Sequence, residues 1–264
     1  MSNILFNGNN INFKIEGKGN AVVLLHGLYE TLAIWDDFSV ELSKEYRVIS
    51  IDLPGHGKSE CVASAHTMDL IADVVMAVLD SLQIKKCVMI GHSLGGYVTL
   101  AFAEKYPDML KGFGLFHSHP LEDTEEAKIN RTRIIEIVKE GKTEFISQFF
   151  PELLAPENVN LFNEQIKKLQ TEALQMSKEG IIAILEGMKV RKNTTDVLRN
   201  NKTPFLAILG KQDYRMPYEK MLPYFSLPDK STICVINHVG HLGFIEARDE
   251  TLFTLKCFVM KCFF

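Results

Sequence analysis

The chain has 264 residues, enough for one sizeable hydrophobic core, and an α/β domain of that length need not divide. Its 29 basic and 33 acidic residues leave a formal charge of −4 with no basic run, which excludes a nucleic-acid surface. No apolar run approaches the ~20 residues that a membrane span requires, and the first eight residues lack the charged start and apolar stretch of a signal peptide.

In chain order, Asn7-Gly8 between the apolar stretches at 4–6 and 11–15 predicts a two-stranded hairpin. Residues 21–25 and 47–51 read as strands. The first runs into His26-Gly27, the second into Asp52-Leu53-Pro54-Gly55-His56-Gly57-Lys58-Ser59. A third such strand, 87–90, leads into Gly91-His92-Ser93-Leu94-Gly95-Gly96 and then a helix-compatible run at 97–104. Strand, sharp turn and helix are the setting of a G-x-S-x-G nucleophile elbow. The serine in such a turn takes strained backbone angles, and Gly91 and Gly95 leave room for the returning chain. The next strand, 112–116, ends at His117 and His119. On an extended chain these two share one face, which places them at a pocket entrance.

From 121 to 201 the strand signal vanishes. Ile134, Ile135 and Val138, then Phe145, Phe149 and Phe150, then Ile166, Leu169, Leu174 and Met176 fall at helical spacings. Pro151 and Pro156, with Gly141, Gly180 and Gly187, are expected to break this stretch into several helices. Strands resume at 204–209, running into Gly210-Lys211-Gln212-Asp213, and at 232–236, ending at Asn237-His238-Val239-Gly240-His241; residues 242–261 predict a closing helix. The pattern is a mostly parallel, doubly wound sheet with helices on both faces, its core at 1–120 and 202–264, and a helical insertion at 121–201. An insertion above the strands' carboxyl ends reads as a cap over an active site. Ser93, Asp213 and a histidine can converge at those ends although far apart in sequence.

The elbow, His26-Gly27, the 52–59 segment and Gly240-His241 followed by Glu246 together resemble the alpha/beta-hydrolase superfamily, in its cap-bearing, esterase-like branch. The likeness covers nearly the whole chain, and the order serine, acid, histidine agrees with it. Ala247-Arg248 stand where that branch often carries a proline. The resemblance implies Ser93 as nucleophile, His241 as its base and Asp213 as the acid that orients the imidazole. It also implies an oxyanion hole of the backbone N–H groups of Leu28 and Leu94, each donor typically worth ~3 kcal/mol in the transition state.

Rival residues have simpler roles. His238 lies beside His241, but the glycine before His241 matches the family's loop. His26 and His56 fit bonds to loop backbone, and His92 points away from a substrate in a tight elbow. Asp36, Asp37 and Asp52 precede the serine and fit loop or helix-start positions. Glu122 and Asp123 are alternative acids after the 112–116 strand. No histidine pair carries a zinc-like pattern with a general-base glutamate, so no metal or other cofactor is expected, His117 with His119 being the remote option. Cys61, Cys87, Cys234, Cys257 and Cys262 are odd in number and have no framework spacing, which fits a reducing cytoplasm; Cys87 and Cys234 are expected in buried strands.

The reading is a serine hydrolase of small-to-medium carboxylic esters working through an acyl-enzyme, as a monomer or small homo-oligomer. Met176, Ile182, Leu185 and Met188 are candidates to face the pocket, and an apolar pocket of this kind would favour uncharged esters. The same triad also allows cleavage of a carbon–carbon bond in a diketone, and the fold alone allows a ligand-binding receptor. Dehalogenase and epoxide hydrolase activities are disfavoured, because relatives with those activities carry an aspartate at the position of Ser93.

Overall fold

Residues 2–264 are described by a computed structural model. The strands are β1 (Ser2–Phe6), β2 (Asn9–Glu16), β3 (Ala21–Leu25), β4 (Arg47–Ile51), β5 (Cys87–His92), β6 (Leu110–Phe116), β7 (Phe205–Gly210) and β8 (Ser231–Ile236). They form one sheet in the order β1-β2-β4-β3-β5-β6-β7-β8. The first two join as a hairpin through Asn7 and Gly8, both in the left-handed region, as a primed turn demands. β1 with β2 and β2 with β4 are antiparallel; every other pair is parallel.

The helices in chain order are α1 (Asp36–Leu42), α2 (Met68–Ser81), α3 (Leu94–Lys105), α4 (Glu125–Lys139), α5 (Ile146–Phe149), α6 (Asn163–Ala173), α7 (Lys178–Lys189), α8 (Thr195–Asn200), α9 (Tyr218–Phe225), α10 (Gly243–Glu246) and α11 (Arg248–Phe263). Strands β3, β5 and β7 are buried at every residue, which is why their sequences read as unbroken apolar runs. β8 lies at the sheet edge and is only half-buried. Cys234, expected in a buried strand, is therefore partly exposed.

All of α4 to α8 lies between β6 and β7, with no strand among them. Thr124 and Ser177 cap α4 and α7 by accepting from the N–H groups of Ala127 and Gly180. Gly141, at φ 86°, follows the end of α4, but Gly180 and Gly187 do not break the insertion as the sequence led us to expect. Both sit inside α7, where they let its backbone approach the loop that follows β4. A Cβ on Gly180 would lie 2.4 Å from the Gly55 carbonyl oxygen, and one on Gly187 would lie 1.8 Å from that of His66. The His66 N–H donates to the α7 carbonyl of Ala183 at 2.8 Å across this contact. The closing helix also differs: it is interrupted at Ala247, φ −140°, giving a short α10 and a long α11.

Candidate active site

Four loops at the carboxyl ends of β3, β5, β7 and β8 meet beneath the insertion. The elbow after β5 holds Ser93 at φ 48° and ψ −111°, a strained conformation for a residue with a side chain. It closes only because its neighbours are bare: a Cβ on Gly91 would lie 2.1 Å from the Gly95 carbonyl oxygen, and one on Gly95 would lie 2.5 Å from that of Leu25. The Ser93 N–H donates to Phe116 O at 2.9 Å, and its carbonyl accepts from Ser118 Oγ at 2.7 Å, so β6 fixes the turn.

Ser93 Oγ lies 2.9 Å from His241 Nε2, and His241 Nδ1 lies 2.6 Å from Asp213 Oδ2. The other carboxylate oxygen accepts the N–H groups of Arg215 and Met216, each at 3.1 Å, which sets the angle of the acid. Burial opposes ionisation of Asp213, but the charge of His241 and hydrogen bonds from two imidazoles outweigh it, holding the carboxyl well below its usual range. His238 is exposed and bonded to Glu157 at 3.0 Å, away from Ser93; of the two neighbouring histidines the structure brings His241 to the serine. Glu246 clamps this loop by accepting the N–H groups of Gly240, Leu242 and Ala155.

The second imidazole on Asp213 is His117, expected at a pocket entrance. It does line the cavity, as does His119, but from a fully buried position, with Nδ1 3.3 Å from Asp213 Oδ2. Its φ of 48° breaks the extended chain, so it does not alternate with His119, which turns to the Tyr97 hydroxyl at 3.1 Å. Burial lowers the His117 pKa to about 4, so the ring is neutral and donates its Nδ1–H to the acid. His117, Asp213 and His241 offer three ligand atoms within 4.8 Å of one another, the one such group among the described residues. A divalent ion held there would displace the hydrogen bonds that orient His241.

A buried pair that the sequence did not reveal lies behind the site. Glu30 Oε2 accepts the Gly27 N–H at 2.5 Å and bonds His92 Nδ1 at 2.9 Å, while His92 Nε2 lies 3.0 Å from the His241 carbonyl. Both partners of His92 are acceptors, so both ring nitrogens carry hydrogen and the ring is charged. Burial disfavours that charge, but Glu30 overrides it and raises the pKa; burial likewise opposes, and His92 overcomes, the lowering of Glu30. Glu30 thus ties the loop after β3 to the loop after β8. Its only sequence signal was an acid three residues past Gly27.

Leu28 flanks the cavity and Leu94 begins α3. No hydrogen-bond partner for either backbone N–H is found among the described residues. His26 and His56 sit where loop-bonding roles put them: His26 Nε2 accepts the Leu53 N–H at 2.9 Å, and His56 Nδ1 lies 3.2 Å from Pro54 O. Asp52 accepts the N–H groups of Leu32 and Lys58. Asp36 and Asp37 open α1. Glu122 and Asp123 stand on the cavity wall, and Asp123 is engaged by Arg131 and Arg191.

Ser93 and His241 open onto a cavity of about 640 Å³ between the sheet and the insertion. Leu185 and Met188 line it, but Met176 and Ile182 do not. The wall is mixed: Leu28, Ile134, Phe145, Phe149 and Met216 line it as an apolar pocket would, but Arg131, Arg191 and Arg215 also face it, together with Glu122, Asp123 and Glu152. Helical spacing marked which insertion residues are apolar. It could not show that the polar side of α4 and the loop after Asp213 turn inward.

With this sheet, elbow and site, residues 20–151 match the model of the alpha/beta hydrolase fold family. The chain belongs to that family. Among solved structures, a thermophilic esterase from Thermogutta terrifontis with malate bound is 32% identical, with a TM-score of 0.92, over 96% of this chain and 94% of its own. A pimeloyl-[acyl-carrier protein] methyl ester esterase from Wigglesworthia glossinidia brevipalpis is 26% identical over 94% of this chain and 97% of its own. The dihydrolipoyllysine-residue acetyltransferase component of an acetoin cleaving system from Pseudomonas putida is 27% identical over 94% of this chain, which spans 66% of that longer protein. The chain spans 29% of the length of related uncharacterized mycobacterial proteins. Among the described residues no helix is long and apolar enough to cross a membrane.

Proposed function

We propose that the protein is a serine hydrolase of small-to-medium carboxylic esters, acting through an acyl-enzyme on Ser93. The observation that carries this reading is the unbroken relay from Ser93 Oγ through His241 to Asp213 at the floor of a 640 Å³ cavity. His241 takes the serine proton as Oγ attacks the ester carbonyl, and Asp213 stabilises the imidazolium that forms. The N–H groups of Leu28 and Leu94 receive the developing oxyanion, and their lack of other partners supports that role. His241 then returns the proton to the leaving alcohol, and water, activated by the same base, releases the acid. The site needs no cofactor for these steps. Residues 121–201 act as a cap that excludes water and sets substrate size, over a core of 1–120 and 202–264. Free cysteines at all five positions fit a reducing compartment such as the cytoplasm.

The test is hydrolysis of p-nitrophenyl acetate, butyrate and octanoate by the wild type and by Ser93→Ala. Turnover that vanishes in the variant is expected, with the chain-length optimum reporting the size of the cavity. A folded wild type that turns over none of the three would overturn the reading.

A further inference from the structure

Three arginines and three carboxylates line the cavity, and two of the arginines keep guanidinium donors that these carboxylates do not take up. Asp123 is a single carboxylate gripped by two guanidinium groups, those of Arg131 and Arg191. Arg191 is spent: its side chain is buried, stacks on Tyr97 at 3.8 Å, and donates to Leu121 O at 2.9 and 2.7 Å as well as to Asp123. Arg131 gives Asp123 its Nε and one terminal nitrogen, leaving the other terminal nitrogen without an acceptor among the described residues.

Arg215 is freer still. Its guanidinium stacks on Phe149 at 4.7 Å and lies 5.4 Å from the centre of the Tyr214 ring. These faces orient the fork and leave its donor edge open. The nearest carboxylate, Glu152, is mostly exposed and stands 3.9 Å away, beyond hydrogen-bond distance. Arg215 is also tied to the acid of the relay, since its backbone N–H donates to Asp213 Oδ1.

The third element is Tyr29, the residue after Leu28. Its hydroxyl is buried and finds no partner among the described residues, although the ring borders the cavity. An unsatisfied buried hydroxyl costs about 1–3 kcal/mol, so its persistence is explained if a ligand acceptor completes it. Tyr29 meets Phe149 edge-on at 5.1 Å, the same ring on which the Arg215 guanidinium stacks, and Tyr29, Arg131 and Arg215 all line the one cavity. The acids Glu122 and Glu152 on this wall are exposed to solvent, as is Arg215, whereas Arg131 is half-buried and Tyr29 is buried.

We propose that Arg131, Arg215 and the Tyr29 hydroxyl form a carboxylate-binding subsite, and that the favoured substrates are esters carrying a second, free carboxylate, the half-esters of short dicarboxylic acids. Planar guanidinium forks match a planar carboxylate with two parallel hydrogen bonds, and the hydroxyl supplies a third. Arg131 belongs to α4 of the insertion and Arg215 to the loop after β7, so one anion would bridge both parts of the molecule and hold the ester carbonyl over Ser93. This specificity rests on the ester-hydrolase reading above and replaces the expectation of uncharged substrates.

Two measurements separate its failure from the failure of that reading. First, acid release from monomethyl and dimethyl glutarate and adipate is followed at constant pH. The wild type is expected to show at least a tenfold higher kcat/KM on the half-esters, and Arg215→Gln to lose most of that ratio. Equal rates on half-esters and diesters, with p-nitrophenyl butyrate still cleaved, would overturn the subsite and leave the hydrolase. Second, glutarate is titrated into wild type, Arg215→Gln and Tyr29→Phe by calorimetry, a readout that needs no turnover. Saturable binding weakened at least tenfold in Arg215→Gln is expected; no saturable binding to wild type, or tighter binding of inorganic phosphate, would overturn the carboxylate assignment. Glutarate binding without cleavage of any ester would keep the subsite and refute the hydrolase.

Discussion

Ser93 keeps backbone angles that cost ~1–3 kcal/mol, and the surrounding glycines and the bonds to β6 offset that cost. Its role carries the largest expected effect of any substitution: Ser93→Ala should lower kcat on p-nitrophenyl butyrate by at least about 10⁴-fold with the fold intact. Asp213→Asn should cost about 10⁴-fold, by leaving His241 in the wrong tautomer. Retention of a tenth of the wild-type rate by either variant would contradict these roles. Glu30 acts at one remove. Glu30→Ala strands the charge of His92 and the Gly27 N–H, and should destabilise by about 3–5 kcal/mol, whereas Glu30→Gln, which keeps an acceptor, should cost less. Urea titrations of the two variants check that order. That Ser93, Asp213 and His241 meet was legible in the sequence, because each follows a recognisable strand and the elbow constrains its own composition; their catalytic roles are proposals. Glu30 and the inward turn of His117 were not, since nothing in local spacing shows which distant backbone groups they meet.

Among the elements, α7 is the instructive case. A glycine within a helical pattern reads as a breaker because it costs about 1 kcal/mol against alanine. Here the missing side chains are what allow the helix to lie on the loop after β4, with His66 bonded to Ala183 across the contact. Gly187→Ala should therefore destabilise, despite better helix propensity, by about 1–3 kcal/mol, because the added methyl falls within 1.8 Å of a carbonyl oxygen. A thermal melt that rises on this substitution would show that α7 does not dock as described. Strands were the most legible elements, since buried parallel strands are uniformly apolar; β3 and β4 match their sequence limits at both ends. The interruption at Ala247 was less so, because Ala247-Arg248 lacks the proline that would have marked it.

For the molecule as a whole, buried histidines tie stability to pH. His66 and His117 have pKa values lowered to about 4, and His119 to about 3, each chiefly by burial. Between pH 6.5 and about 4 the unfolded chain binds protons at these positions and the folded protein does not, so stability falls as the pH falls. Each ring contributes up to about 1.4 kcal/mol per pH unit across that window. The pair Glu30–His92 has the opposite sign on the histidine side. Its raised His92 pKa contributes stability that is full below about 6.5 and is lost as pH rises through the folded value. The depressed carboxyls of Asp213 and Glu30 hold their contribution until the pH drops through their own lowered values. The urea midpoint should therefore be greatest near neutrality and fall steeply toward pH 4. A flat profile between pH 6.5 and 4 would mean that these histidines are not buried as neutral rings.

The most direct test of the serine-hydrolase mechanism is the mass of the protein quenched during turnover of p-nitrophenyl butyrate, followed by peptide mapping. One butyryl group per chain, located on Ser93 and absent from Ser93→Ala, is expected. Turnover without an adduct at Ser93, or an adduct that persists in Ser93→Ala, would contradict the mechanism.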